Sequence, residues 1–142
     1  MVKVIAGRKG SGKTKQLIDL VNEAAKDDSG SIVCLEMGRK LIYDISHAVR
    51  LIDCTQESIA GSDGLKGFIC GLHAGNYDIS HIFFDGLYKL AGPMSPDKTE
   101  KFLNWLEEYG EKNLVSFTMT ISSDADELSA GARKYILEPV GV

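Results

Sequence analysis

Apolar residues recur along this chain in two rhythms. Short β-branched runs alternate with longer stretches in which apolar positions return every three or four residues. Val2-Lys3-Val4-Ile5-Ala6 reads as a buried strand. Leu17, Ile18, Leu20, Val21, Ala24 and Ala25 then mark a helix from Lys13 to about Lys26. Ser31 to Glu36 predicts a second strand, Arg39 to about Val49 a short helix, and Arg50 to Cys54 a third strand. Residues 55–77 predict helical pieces broken by Gly61, Gly64, Gly67, Gly71 and Gly75. His81 to Asp85 is a fourth strand, and Gly86 to Pro96 reads as a loop. Ser95-Pro96 opens a helix, with Ser as N-cap, Pro in the first turn and Asp97 and Glu100 early. Its stripe is Phe102, Leu103, Trp105, Leu106 and Tyr109, and Gly110 is its expected end. Leu114 to Ile121 is a fifth strand, and 125–136 a last helix.

This alternation predicts an α/β fold of three layers: a mainly parallel sheet of about five strands with helices on both faces. No internal repeat or linker interrupts residues 1–142, which are read as a single domain of sufficient length for a sizeable core.

Within this frame, one stretch carries chemistry. Residues 7–14 read Gly7-Arg8-Lys9-Gly10-Ser11-Gly12-Lys13-Thr14 and lie between the first strand and the first helix. This is the Gly-x4-Gly-Lys-Thr pattern, in which glycines let the backbone wrap a phosphate chain. Lys13 would bring a positive charge to the β- and γ-phosphates, and Thr14 a hydroxyl to a magnesium ion. The helix that follows turns its positive end toward the anion. A second acid near the metal is expected at the end of an apolar strand. Ile82-Phe83-Phe84-Asp85 supplies it better than the shorter Leu51-Ile52-Asp53, although Asp85-Gly86 is also a turn dipeptide.

Net charge is −4, and no Lys/Arg cluster occurs, which speaks against a nucleic-acid-binding protein. No run is long enough to span a membrane, and the chain opens on a strand without a signal segment, so a cytoplasmic location is expected. Cys34, Cys54 and Cys70 have no C-x-x-C spacing and read as reduced thiols, buried rather than paired. His47, His73 and His81 lack ligand spacing, and Trp105 falls in a core stripe.

On residues 7–14 and 82–85 and the alternating layout, the chain resembles the P-loop NTPase superfamily. In its additional-strand branch, which includes the RecA-like ATPases, a strand with a polar end lies between the P-loop strand and the Asp strand. Residues 114–122, with Thr118, Thr120 and Ser122, are either that strand or the solvated face of an edge strand. Many members of that branch carry Glu after the Asp, where this chain has Gly86. RecA-like ATPases place a catalytic Glu at the end of the strand after the P-loop helix. Glu36 stands at that point and is either a base for the attacking water or a strand-end residue without a role. Type II thymidine kinases share the P-loop followed by a Leu-Ile-rich helix, but their C-x-x-C lobe and Asp-Glu pair are missing.

The resemblance implies magnesium-dependent ATP binding with slow or partner-stimulated hydrolysis. Residues 8–14 would hold the phosphates, Lys13 and Glu36 would be catalytic, and Thr14 and Asp85 would hold the metal. No Asn-Lys-x-Asp motif is present to read guanine. The alternatives are a nucleotide-binding regulatory module without turnover and a small nucleoside or nucleotide kinase. No arginine finger can be assigned. Arg133 is one candidate, and a protein partner or second subunit is another source.

Overall fold

A computed structural model describes residues 1–27 and 29–137. Five strands form one sheet: β1 (Val2–Gly7), β2 (Ser31–Glu36), β3 (Val49–Asp53), β4 (Ile79–Asp85) and β5 (Ser116–Ser122). All neighbours are parallel, in the order β1-β5-β4-β2-β3. The α/β class and the parallel sheet are therefore as expected. Parallel pairing also explains the apolar runs, because such strands are covered on both faces.

Alternate residues feed two cores. Ile5, Ile32, Cys34 and Phe83 pack under helix α1 (Lys13–Asp27), against its buried Leu17 and Val21. Val4, Val33, Leu35, Ile82 and Phe84 point the other way. That second core is closed by α2 (Gly61–Gly75), α3 (Leu87–Ala91), α4 (Pro96–Asn113) and the single turn α5 (Ala130–Arg133). The outer edge of β1 is engaged as well: Val4 N–H donates to Tyr135 O (2.8 Å), and Leu137 N–H donates to Val4 O (2.7 Å). That pairing protects an edge that would otherwise offer unpaired backbone groups.

Five expectations need correction. Gly64, Gly67 and Gly71 do not divide the 55–77 stretch into pieces, since α2 runs without interruption from Gly61 to Gly75. The segment 39–49 is not a helix but a series of turns, held by buried Leu41 and Ile45 against the α1 side of the sheet. The stretch 86–96 is not all loop, since α3 occupies five of its residues. Gly110 does not end α4, which continues to Asn113 and stops at Leu114 in a left-handed conformation (φ 58°). Gly110 serves packing instead: a Cβ there would collide with the carbonyl of Val115. Residues 125–136 are not one helix but a 3-10 turn at Ala125–Glu127 followed by α5. The predicted cap of α4 is present, with Ser95 Oγ accepting from Lys98 N–H and Pro96 in the first turn.

Cys34 and Cys54 are buried thiols and Cys70 is partly exposed. Burial pushes the Cys54 thiol up to about 11. Trp105 is half-buried against the α2–α4 core. Among the described residues, no helix is long and apolar enough to cross a membrane.

Candidate functional site

Because all five strands run the same way, their carboxyl ends lie together, and an α/β sheet places its ligands in such a crevice. The glycine-rich loop leaves β1 there and enters α1. Gly10 and Gly12 both have φ +86°, a region that side chains with a Cβ enter at a cost. Gly10 and Gly12 are thus required by the backbone, whereas a Cβ on Gly7 would fall 2.6 Å from Ser11 Oγ. Inside the loop Ser11 N–H donates to Arg8 O (3.1 Å), and Lys13 Nζ donates to the same carbonyl (2.8 Å). Arg8 pairs through Nε with Asp124 Oδ2 (2.7 Å), which ties the loop to the turn after β5.

β5 separates β1 from β4. Phe117, Met119 and Ile121 face the larger core, whereas Thr118 and Thr120 face the α1 side. Both threonines are almost fully buried, at 2% and 3% exposure, so they are not the solvated face of an edge strand. Thr118 Oγ1 bonds His81 Nε2 (2.8 Å), and His81 stacks on Phe83. Thr120 Oγ1 accepts from Gly86 N–H (2.7 Å) and donates to Asp85 Oδ1 (3.3 Å). Thr14 Oγ1 donates to the same carboxylate oxygen (3.3 Å). The hydroxyl and the carboxylate selected from separate parts of the sequence therefore meet.

Around this pair lies a cleft of about 360 Å³ lined by Lys9, Gly10, Gly12, Lys13, Thr14, Lys15, Asp85, Gly86, Lys89, Thr120 and Ser122. Four lysines and one carboxylate line it, in a chain whose net charge is −4. Partial burial lowers the Lys13 ammonium below the usual lysine range. The charge of Lys89 lowers it further, against the opposing pull of Asp85.

Neither family models nor curated proteins give a match to this sequence.

Glu36 and Asp53 end β2 and β3 in register with each other, and Glu36 is also in register with Asp85. Glu36 is buried, at 2% exposure. Its Oε1 accepts from Lys40 N–H (3.1 Å) and its Oε2 from Leu41 N–H (3.3 Å). Burial raises its pKa, the two backbone donors oppose that, and the charges of Asp85 and Asp53 raise it further. It does not line the lysine-rich cleft but a smaller hollow of about 100 Å³ with Gly38, Arg39, Ile42, Leu51 and Asp53. Asp53 Oδ1 accepts from Thr55 N–H, Thr55 Oγ1 and Gly38 N–H at 2.8–3.0 Å, which holds its carboxyl below the usual range. Arg133 donates to the carbonyls of Ala125, Leu128 and Asp126, so its guanidinium serves the local turn.

Among the described residues no cluster of three or more His, Cys, Asp or Glu could chelate a metal. Of the groups at the cleft, the Thr14 hydroxyl and the Asp85 carboxylate would suit a hard cation that keeps most of its water. Three residues of the cleft are not selected by the sequence reading: Lys15, Lys89 and Thr120. Lys15 lies one residue past the glycine-rich pattern. Lys89 falls in a stretch that reads as loop, and its signal is Asp85-Gly86 followed by Leu87, Leu90 and Ala91. Thr120 belongs to an alternation that two strand types share.

Proposed function

We propose that the cleft binds a magnesium–nucleoside triphosphate, with ATP favoured, and that hydrolysis is slow or depends on a partner. The observation that carries this reading is the Thr14–Asp85 contact across a glycine-rich loop that opens a 15-residue helix. A loop of this form is built for a phosphate chain, and its amides and the helix end would supply donors. Lys13 would leave the Arg8 carbonyl for the phosphates. Thr14 and Asp85 would hold the metal, which when bound neutralises phosphate charge. Lys9, Lys15 and Lys89 add a positive field suited to an anion. The lack of an Asn-Lys-x-Asp motif supports ATP over GTP.

A second reading, nucleotide binding without turnover, has specific support. Both Glu36 oxygens already accept backbone N–H groups, and position 86 offers no carboxylate. On this reading the bound nucleotide would order a surface for a protein partner.

Two measurements test these readings. Millimolar ATP with magnesium should raise the melting temperature of the wild type and leave Lys13→Ala unmoved, because ligand binding to the folded state stabilises it by mass action. An unshifted wild type removes the nucleotide reading altogether. Phosphate release by the wild type and Glu36→Gln then separates the two readings. Release that Glu36→Gln loses supports catalysis by Glu36, and no release with any cell fraction added leaves the binding module.

A further inference from the structure

The turn after β4 has an unusual construction. Gly86 is buried with φ +89°, and the stem of Lys89 lies directly across it. A Cβ built on Gly86 would fall 2.9 Å from Lys89 Cδ, 3.2 Å from Cγ and 3.3 Å from Cβ. The missing side chain at position 86 thus leaves the space through which Lys89 passes. Buried Leu87, Leu90 and Ala91 anchor α3 to the core and fix the base of that stem. Lys89 is itself exposed, lines the cleft, and forms no ion pair among the described residues.

Resting on the triphosphate reading above, we propose that Lys89 is a second phosphate-binding cation and that it selects a triphosphate over a diphosphate. Lys13 reaches the cleft from the loop after β1, and Lys89 from the turn after β4. β1 and β4 lie two strand spacings apart, roughly 10 Å, with β5 between them, and the start of α1 crosses that gap, since Thr14 beside Lys13 meets Asp85. A phosphate chain cradled by the loop meets Lys89 only at its far end, beside Asp85. A diphosphate ends short of it. An ammonium at that point is a charge-assisted donor, worth roughly a tenfold change in affinity when its phosphate is present. Lys89 and Lys13 line the same cleft, so both charges face one space. The turn has therefore given a cation the place where a side chain at position 86 would stand.

The test is titration of wild type, Lys89→Met and Lys89→Arg with ATP and with ADP, each with magnesium, followed by calorimetry. Lys89→Met keeps the stem and removes the charge on an exposed residue, and circular dichroism checks that the fold is kept. The expected result is a roughly tenfold loss of ATP affinity in Lys89→Met, a change under about twofold for ADP, and retention of the wild-type preference in Lys89→Arg. Equal losses for both nucleotides, or none, overturn the assignment of Lys89 while leaving the cleft a nucleotide site. A wild type that binds neither nucleotide overturns the triphosphate reading itself.

Discussion

Asp85 and Glu36 are neighbours in register at the tips of adjacent strands, on the same face of the sheet, yet they are in different chemical situations. Asp85 meets two hydroxyls, Thr14 and Thr120, and lines a lysine-rich cleft. Glu36 is covered by the chain that follows it and accepts two backbone N–H groups. The cause lies in the connections. After β4, Gly86 turns the chain left-handed into α3, whose apolar residues pull it down onto the opposite core and leave Asp85 open. After β2, residues 37–48 fold back over the α1 side, because Leu41 and Ile45 are buried there. A carboxylate at a strand tip is left open to a cleft or closed as a cap according to where the next apolar residues draw the backbone.

The comparison predicts opposite responses to the same chemical change. Asp85→Asn keeps the shape and removes the charge that would hold magnesium. It should weaken magnesium–ATP binding by roughly a hundredfold, about 2.7 kcal/mol. In a chelator its nucleotide affinity should converge with that of the wild type. Glu36→Gln should keep the magnesium dependence. Titration of both variants with and without magnesium decides the matter, and loss of the dependence in Glu36→Gln alone would reverse the assignment of the two acids.

The next effect concerns how Asp85 is held. Thr120→Val keeps the volume and removes an acceptor from the buried Gly86 N–H as well as a donor to Asp85. An unsatisfied buried amide costs about 1–3 kcal/mol, so denaturant unfolding should show a loss near 2 kcal/mol. A loss no larger than that of a surface substitution would mean that water replaces the hydroxyl. Gly86→Ala is expected to cost about 1–2 kcal/mol, from a left-handed conformation that disfavours a Cβ. It should also displace the Lys89 stem. An unchanged melting temperature would show that the turn relaxes out of the left-handed region.

Much of this arrangement was legible in the sequence. β2, α1 and the cap of α4 stand where the local patterns put them, because β-branched runs, helical spacing and a Ser-Pro start are local signals. The loop 7–14 was legible as one contiguous pattern, and Asp85 as an acid ending an apolar strand. What failed depended on tertiary structure. Leu41 and Ile45 stand four apart as on a helix, but they are spaced by turns that wrap the sheet. Five residues of α3 are too few to display a period, and so Lys89 was hidden with them. The role of β5 hung on strand order, which no local pattern states. Two buried threonines became interpretable only once β5 was found between β1 and β4.

The finest distinction between strand tips is electrostatic, and it sets Glu36 against Asp53. Burial holds the Glu36 carboxyl above its ordinary range, with the acids on either side adding to the effect. Between the unfolded value of about 4.3 and the raised folded value, the unfolded chain has lost this proton and the folded chain keeps it. Folding stability from Glu36 is therefore complete below about pH 4.3 and falls as pH rises through that window. The stability of wild type relative to Glu36→Gln should decline across it. Asp53, held down by three hydrogen bonds, runs the other way. Its contribution is present above its unfolded value of about 3.9 and is lost as pH falls toward the depressed folded one. The stability of wild type relative to Asp53→Asn should therefore rise with pH over the acid range. Urea unfolding of the three proteins from acid to neutral pH reads both slopes. Two slopes of the same sign would show that the hydrogen bonds at Glu36 outweigh its burial, which would make both β2 and β3 tips simple caps.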